Sequence, residues 1–123
     1  MARLERKVAD LKVGDLFHAT SRGIESILCL ALTVGDGIIE ARDICRWYEY
    51  KFDVATGLEI TGNGGESCFI DSVALLPDIH RMALEGMHER TRRTESLDAF
   101  RLTHSEIQAL LFVGSYYAEN KLA

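Results

Sequence analysis

RWYEYKFDVATGLEI, residues 46–60, is the stretch from which the rest of the chain is read. Within it Trp47, Glu49, Lys51 and Asp53 alternate with Tyr48, Tyr50 and Phe52. That is period two in β-favouring residue types, with a ring on every second position. Ala55-Thr56-Gly57 supplies a turn, after which Leu58 and Ile60 alternate with Glu59 and Thr61. The pattern predicts a β-hairpin with one aromatic and one charged face. Tyr48, Tyr50 and Phe52 are expected to pack in the core. Trp47 falls on the charged phase, which marks it as the ring left exposed for an interface.

Upstream, residues 38–52 are long for one strand, and the alternation slips between Ile39/Ala41 and Ile44/Tyr48. A bulge or bend near Arg42-Asp43 accounts for the slip and lets the strand curl. Gly35-Asp36-Gly37 is hairpin chemistry. Before it, SILCLALTV (residues 26–34) carries Leu28, Leu30 and Leu32 on one face and Ile27, Cys29 and Ala31 on the other. A strand apolar on both faces belongs in the middle of a sheet, covered on its second face by helices or another subunit. Leu16 to Ala19 reads as a first strand entered through a Val13-Gly14-Asp15 turn. Leu4, Val8 and Leu11 suggest a short N-terminal helix over residues 2–10.

Downstream, Gly62-Asn63-Gly64-Gly65 is the loosest point, and residues 67–75 form the last strand. Asp71, between Ile70 and Val73, requires a partner or an exposed edge. Pro77 and Asp78 open a helix, in which Ile79, Met82, Ala83 and Gly86 share one face, with Leu84 and Met87 beside them. Residues 94–101 are a polar connector. Thr103-His104-Ser105-Glu106 is a capping box, with Leu102 and Ile107 spaced as a hydrophobic staple. Ile107, Leu110, Leu111 and Gly114 are the expected buried stripe of that last helix. Strands first and helices last predict an α+β fold. The expected form is a curved antiparallel sheet of about five strands, possible as an SH3-like partial barrel, with two C-terminal helices and the short N-terminal one.

Composition bounds function. At 123 residues the chain is expected to be a single domain, 1–123, with 47% apolar and 27% charged residues, as in ordinary globular proteins. The net charge of -5 argues against a general nucleic-acid binder, which needs a basic face. Cys29, Cys45 and Cys68, each in an apparent strand, are expected as free core thiols in a reducing cytoplasm. The first residues lack the apolar region of a signal peptide, and no apolar run is long enough to span a membrane.

Chemical motifs are few. His80 and His88 lie about 80° apart around a helix, and no paired ligand motif accompanies His18 or His104, so no metal or cofactor is expected. Cys45 beside Arg46 is the one thiol with a cation next to it. Arg90, Arg92 and Arg93 form a basic cluster with Arg101 nearby. They suit a phosphate or an acidic partner, or pair with Glu85, Glu89 and Glu95 on a solvated helix end. The leading expectation is a non-catalytic, self-associating binding module, a homodimer or higher homo-oligomer acting as adaptor or regulator, with Trp47 near the contact. The alternative is a small-ligand binder in which Arg46, Trp47, Arg90, Arg92 and Arg93 line an oligomer cleft for a nucleotide or other phosphorylated metabolite. A third class, an enzyme site assembled from His18, Asp71 and His88, depends on proximity that spacing does not fix.

Overall fold

The structure, a computed structural model, describes residues 6–21, 25–60, 68–92 and 102–122. Its middle strand is the one apolar on both faces. β1 (Leu16–Ser21), β2 (Glu25–Gly35), β3 (Ile38–Asp43), β4 (Glu49–Asp53) and β5 (Cys68–Ser72) form one antiparallel sheet in the order β4-β3-β2-β1-β5. Ladder registers slip between Ala31 and Thr33 and between His18 and Ala19. Such irregularities bend strands, and here the sheet curls into a half-barrel.

The curl makes two cores from one sheet. On the concave side Phe17, Ala19, Ile27, Cys29, Ala31, Ile39, Phe52 and Ile70 form a continuous buried cluster. The rings of Phe17 and Phe52 meet edge to face at 5.8 Å. Residues 57–60 complete this side by bonding to both outer strands. Asp53 N donates to Leu58 O (2.9 Å) and Ile60 N to Lys51 O (2.7 Å), while Glu59 N donates to Cys68 O (2.9 Å) and Ile70 N to Gly57 O (2.8 Å). Gly57 turns the chain at φ +73°, a conformation that side chains with a Cβ seldom adopt. The concave face is therefore covered from within the chain.

On the convex side Leu16, Leu28, Leu30 and Ile44 are buried under α1 (Asp78–Thr91) and α2 (His104–Glu119) by Leu84, Met87, Ala109, Val113 and Tyr117. Thr103 caps α2 as expected. Its Oγ1 accepts from Glu106 N at 3.2 Å, and Glu106 Oε1 accepts from Thr103 N at 3.0 Å. The curved sheet, the central strand and the two C-terminal helices agree with the sequence reading. No described helix is long and apolar enough to cross a membrane.

Four expectations change. The long strand of residues 38–52 is two strands. Asp43 Oδ1 accepts from Cys45 N and Arg46 N, and its carbonyl accepts from Trp47 N, so a tight turn replaces the bend. That turn holds Trp47 at φ +69° and resets the alternation, so Trp47 is half-buried and Tyr48 is exposed. The return arm of the hairpin makes only isolated bridges, Phe52 to Glu59 and Leu58 to Phe69. Within the N-terminal helix expectation, Val8–Asp10 is a single 3-10 turn, and residues 2–5 lie outside the described residues. The glycine run 62–65 and the connector 94–101 also lie outside them.

The fourth change concerns the helix faces. α1 buries Leu84, Met87, His88 and Thr91, leaving Ile79 and Met82 exposed. α2 buries Glu106, Ala109, Val113 and Tyr117, leaving Ile107 and Leu111 exposed. Both helices carry apolar residues on more than one side, so periodicity does not choose the face. In α2 Glu106 turns inward to grip Arg90 with both carboxylate oxygens. Ala109, Val113 and Tyr117 follow it down one face at helical spacing.

Candidate functional site

A cluster of polar side chains bonded to one another lies on the convex face of β1, β2 and β5. In the β1–β2 register Thr20 faces Ser26 and His18 faces Leu28, which sets Ser26 diagonal to His18. In the β1–β5 register His18 faces Ser72 and Ala19 faces Ile70. Asp71 is thus the extra residue of the bulge, the kind of position that re-aims a side chain. The three side chains form a chain of short contacts. Asp71 Oδ1 lies 2.5 Å from His18 Nδ1, and His18 Nε2 lies 2.5 Å from Ser26 Oγ. Thr20 Oγ1 donates to the second carboxylate oxygen, also at 2.5 Å.

An ionised carboxylate only accepts, so the His18 proton sits on Nδ1. In the neutral imidazole Nε2 is then an acceptor, and Ser26 donates to it. Burial raises the Asp71 pKa, but the bonds from His18 and Thr20 outweigh it and hold the carboxyl below its ordinary range. Asp71 is buried and Ser26 exposed. The His18 ring lies 5.4 Å from that of Tyr117, where the helical cover ends. The partner that Asp71 required from sequence is therefore His18, as in the enzyme reading. Ser26 was not among the candidates. It was detectable as the one hydroxyl on the outward phase of an apolar strand, opposite Thr20.

His88, the third member of the enzyme reading, lies elsewhere and is buried rather than on the surface. Its ring stacks on Trp47 at 5.3 Å, and the Arg42 guanidinium lies 5.3 Å from the centre of the Trp47 ring. Trp47 Nε1 and His88 Nε2 are buried without a hydrogen-bond partner among the described residues. Burial, with Arg42 and Arg92 nearby, lowers the His88 pKa against an opposing contribution from Glu89.

The described arginines expected to line a ligand cleft have these neighbours. Arg46 lies in the Asp43 turn, beside Trp47 in sequence. Arg90 joins α1 to α2 through Glu106, and Arg92 Nε lies 3.2 Å from Glu89 on the surface. Glu85 pairs with Arg81 instead. Arg93 lies outside the described residues. The Cys45 thiol is not activated by its cationic neighbour: burial, and then Asp43, push it up to about 11. Burial likewise pushes Cys68 up to about 12 and raises Cys29. All three cysteines are free.

A third feature is apolar. Ile79 and Met82 on α1, and Ile107 and Leu111 on α2, are between 43% and 72% exposed. They lie on the sides of the helices turned away from the buried residues. No family model, curated protein or solved structure matches this chain.

Proposed function

We propose that the chain is a self-associating binding module that works by contact, and that its contact surface is the outward side of the helix layer. The observation that supports this reading is the pair of apolar stripes, Ile79 with Met82 and Ile107 with Leu111, left in water by helices whose other sides are already packed. On each helix the two side chains stand one turn apart, as a stripe, and exposed apolar surface of this kind marks interaction sites. A second copy of the chain is the occupant favoured by charge. Arg81 bonds both Asp78 and Glu85 along α1, so charges of both signs border the stripe and it does not repel its own kind. Identical patches pair by two-fold symmetry in most homo-oligomers.

The concave side of the sheet is filled from within the chain and offers no open face to a second copy. Trp47 is a poorer anchor, since its ring is half-buried against His88. The phosphorylated-ligand reading has less support, because Arg90 and Arg92 already hold carboxylates. Sedimentation equilibrium at micromolar concentration tests the proposal. The wild type is expected to be dimeric and Met82→Ser/Leu111→Ser monomeric with an unchanged fold, while Trp47→Phe stays dimeric. A monomeric wild type, or a double variant that still dimerises, overturns it.

A further inference from the structure

We infer that Ser26, His18 and Asp71 form a nucleophilic centre that takes the acyl group of an activated ester. Three relations on the convex face carry this, independently of self-association. Ser26 Oγ is in contact with the one imidazole nitrogen free to accept its proton, at 2.5 Å. The other ring nitrogen is fixed by Asp71, also at 2.5 Å, which sets the tautomer and stabilises the imidazolium formed when the proton moves. Asp71 itself is held by Thr20 at its remaining oxygen, so the carboxylate cannot turn away. Nucleophile, base and orienting group thus stand in the order that serine acyl transfer requires.

Accessibility distinguishes this array from a strut. Asp71 is buried and His18 is largely covered, whereas Ser26 is exposed. Water could satisfy an exposed hydroxyl, and the β1–β2 ladder is already paired from Leu16 to Ser21. Strand pairing therefore does not need the Ser26–His18 contact, and a carbonyl group can approach the hydroxyl from solvent.

The chemistry balances without a cofactor. Ser26 Oγ forms a bond to the ester carbonyl carbon as its proton passes to His18 Nε2. The bond from that carbon to the leaving oxygen then breaks, and the departing alcohol takes the proton. Water attacks the acyl-Ser26 ester in the same way, with His18 passing its proton back to Ser26, and a carboxylic acid leaves. The substrate class is a small ester with a good leaving group, because the nucleophile stands on an open strand surface.

A fluorophosphonate tests the centre directly, since Ser26 Oγ would displace fluoride and keep a stable phosphorus–oxygen bond. The full chain is incubated with the probe, followed by intact mass and peptide mapping, with circular dichroism on each variant. The wild type is expected to gain one adduct at Ser26, and Ser26→Ala, a change at an exposed position, to stay folded and gain none. His18→Gln is expected to label at least about a hundredfold more slowly. If His18→Gln does not fold, the wild-type and Ser26→Ala results decide alone. Absence of a Ser26 adduct on the folded wild type, equal labelling of Ser26→Ala, or undiminished labelling of folded His18→Gln overturns the inference.

Discussion

The two sides of β2 are alike in the middle and differ at one end. On the concave side Ile27, Cys29 and Ala31 are sealed by the other strands of the same sheet. On the convex side Leu28 and Leu30 are sealed by α1 and α2, but Ser26, on the same phase, is exposed. The difference is in what does the covering. A curled sheet covers its inside along its length, whereas two helices cover only as far as they reach. Near Tyr117 that cover ends, and the outward residues change from leucine to His18, Thr20, Ser26 and Asp71. These groups bind one another, which answers the cost of leaving polar atoms unpartnered at the edge of a core. The hydrogen-bonded array is thus placed by the limit of the helical layer.

The comparison is broken most severely from the concave side. Phe52 is fully buried and meets Phe17 edge to face. Phe52→Ala should lower stability by about 3–5 kcal/mol, read as a shift of the urea midpoint. A loss below about 1 kcal/mol would mean that the inside of the curl is not a close-packed core.

At the convex end the expected effect is smaller and depends on pH. Asp71→Asn leaves the bonds to His18 and Thr20 imperfectly matched, at a cost of about 1–3 kcal/mol near neutrality. The sign of the pH dependence follows from the lowered Asp71 pKa, in which bonds from His18 and Thr20 overcome the opposing effect of burial. The folded protein holds that proton less tightly than the unfolded chain does. The stabilisation is therefore complete above the ordinary carboxylate range and is lost as pH falls through and below it. Urea midpoints of wild type and Asp71→Asn should lie apart at pH 7 and converge below about pH 4. A constant gap across that range would separate the ionised carboxylate from the stability of this end.

How much of this was legible follows the same division. Period-two alternation named both faces of β2 and placed it centrally, because in a strand residue type and direction are coupled one to one. The phase slip was legible, although its cause is a turn capped by Asp43, and the strands bend instead at the ladder irregularities of Ala31/Thr33 and His18/Ala19. The helix faces were not legible. Ile79/Met82 and Leu84/Met87 are comparable stripes, and the choice between them is made by contacts distant in sequence. Arg90 with Glu106 is one such contact. Asp71 was visible as a carboxylate needing a partner, but the bulge that turns it toward His18, 53 residues away, depends on a ladder between distant strands. Ser26 needed the β1–β2 register before its diagonal relation to His18 could be seen.

The smallest effect concerns how the helical cover is fastened. α1 starts at Pro77 with no side-chain cap, whereas α2 starts at Thr103 with a complete capping box. Glu106 serves that box and the bond to Arg90 with the same carboxylate. The Arg90 bond and the Thr103 N–H, against burial, hold its pKa below the ordinary range. Thr103→Ala removes only the bond from Glu106 N to Thr103 Oγ1 and leaves the carboxylate bonds in place. The expected loss is about 1 kcal/mol, or roughly 3–6 °C in the melting midpoint of a chain this size. Because Ala109, Val113 and Tyr117 still pack on the sheet, the helix should persist and the melt should stay a single transition. An unchanged midpoint would show that packing and the Arg90 bond alone fasten α2, so that the reach of the cover is set from the sheet side. An early, separate loss of helical signal would show the reverse, with the cap holding down the end of a layer that packing alone does not keep.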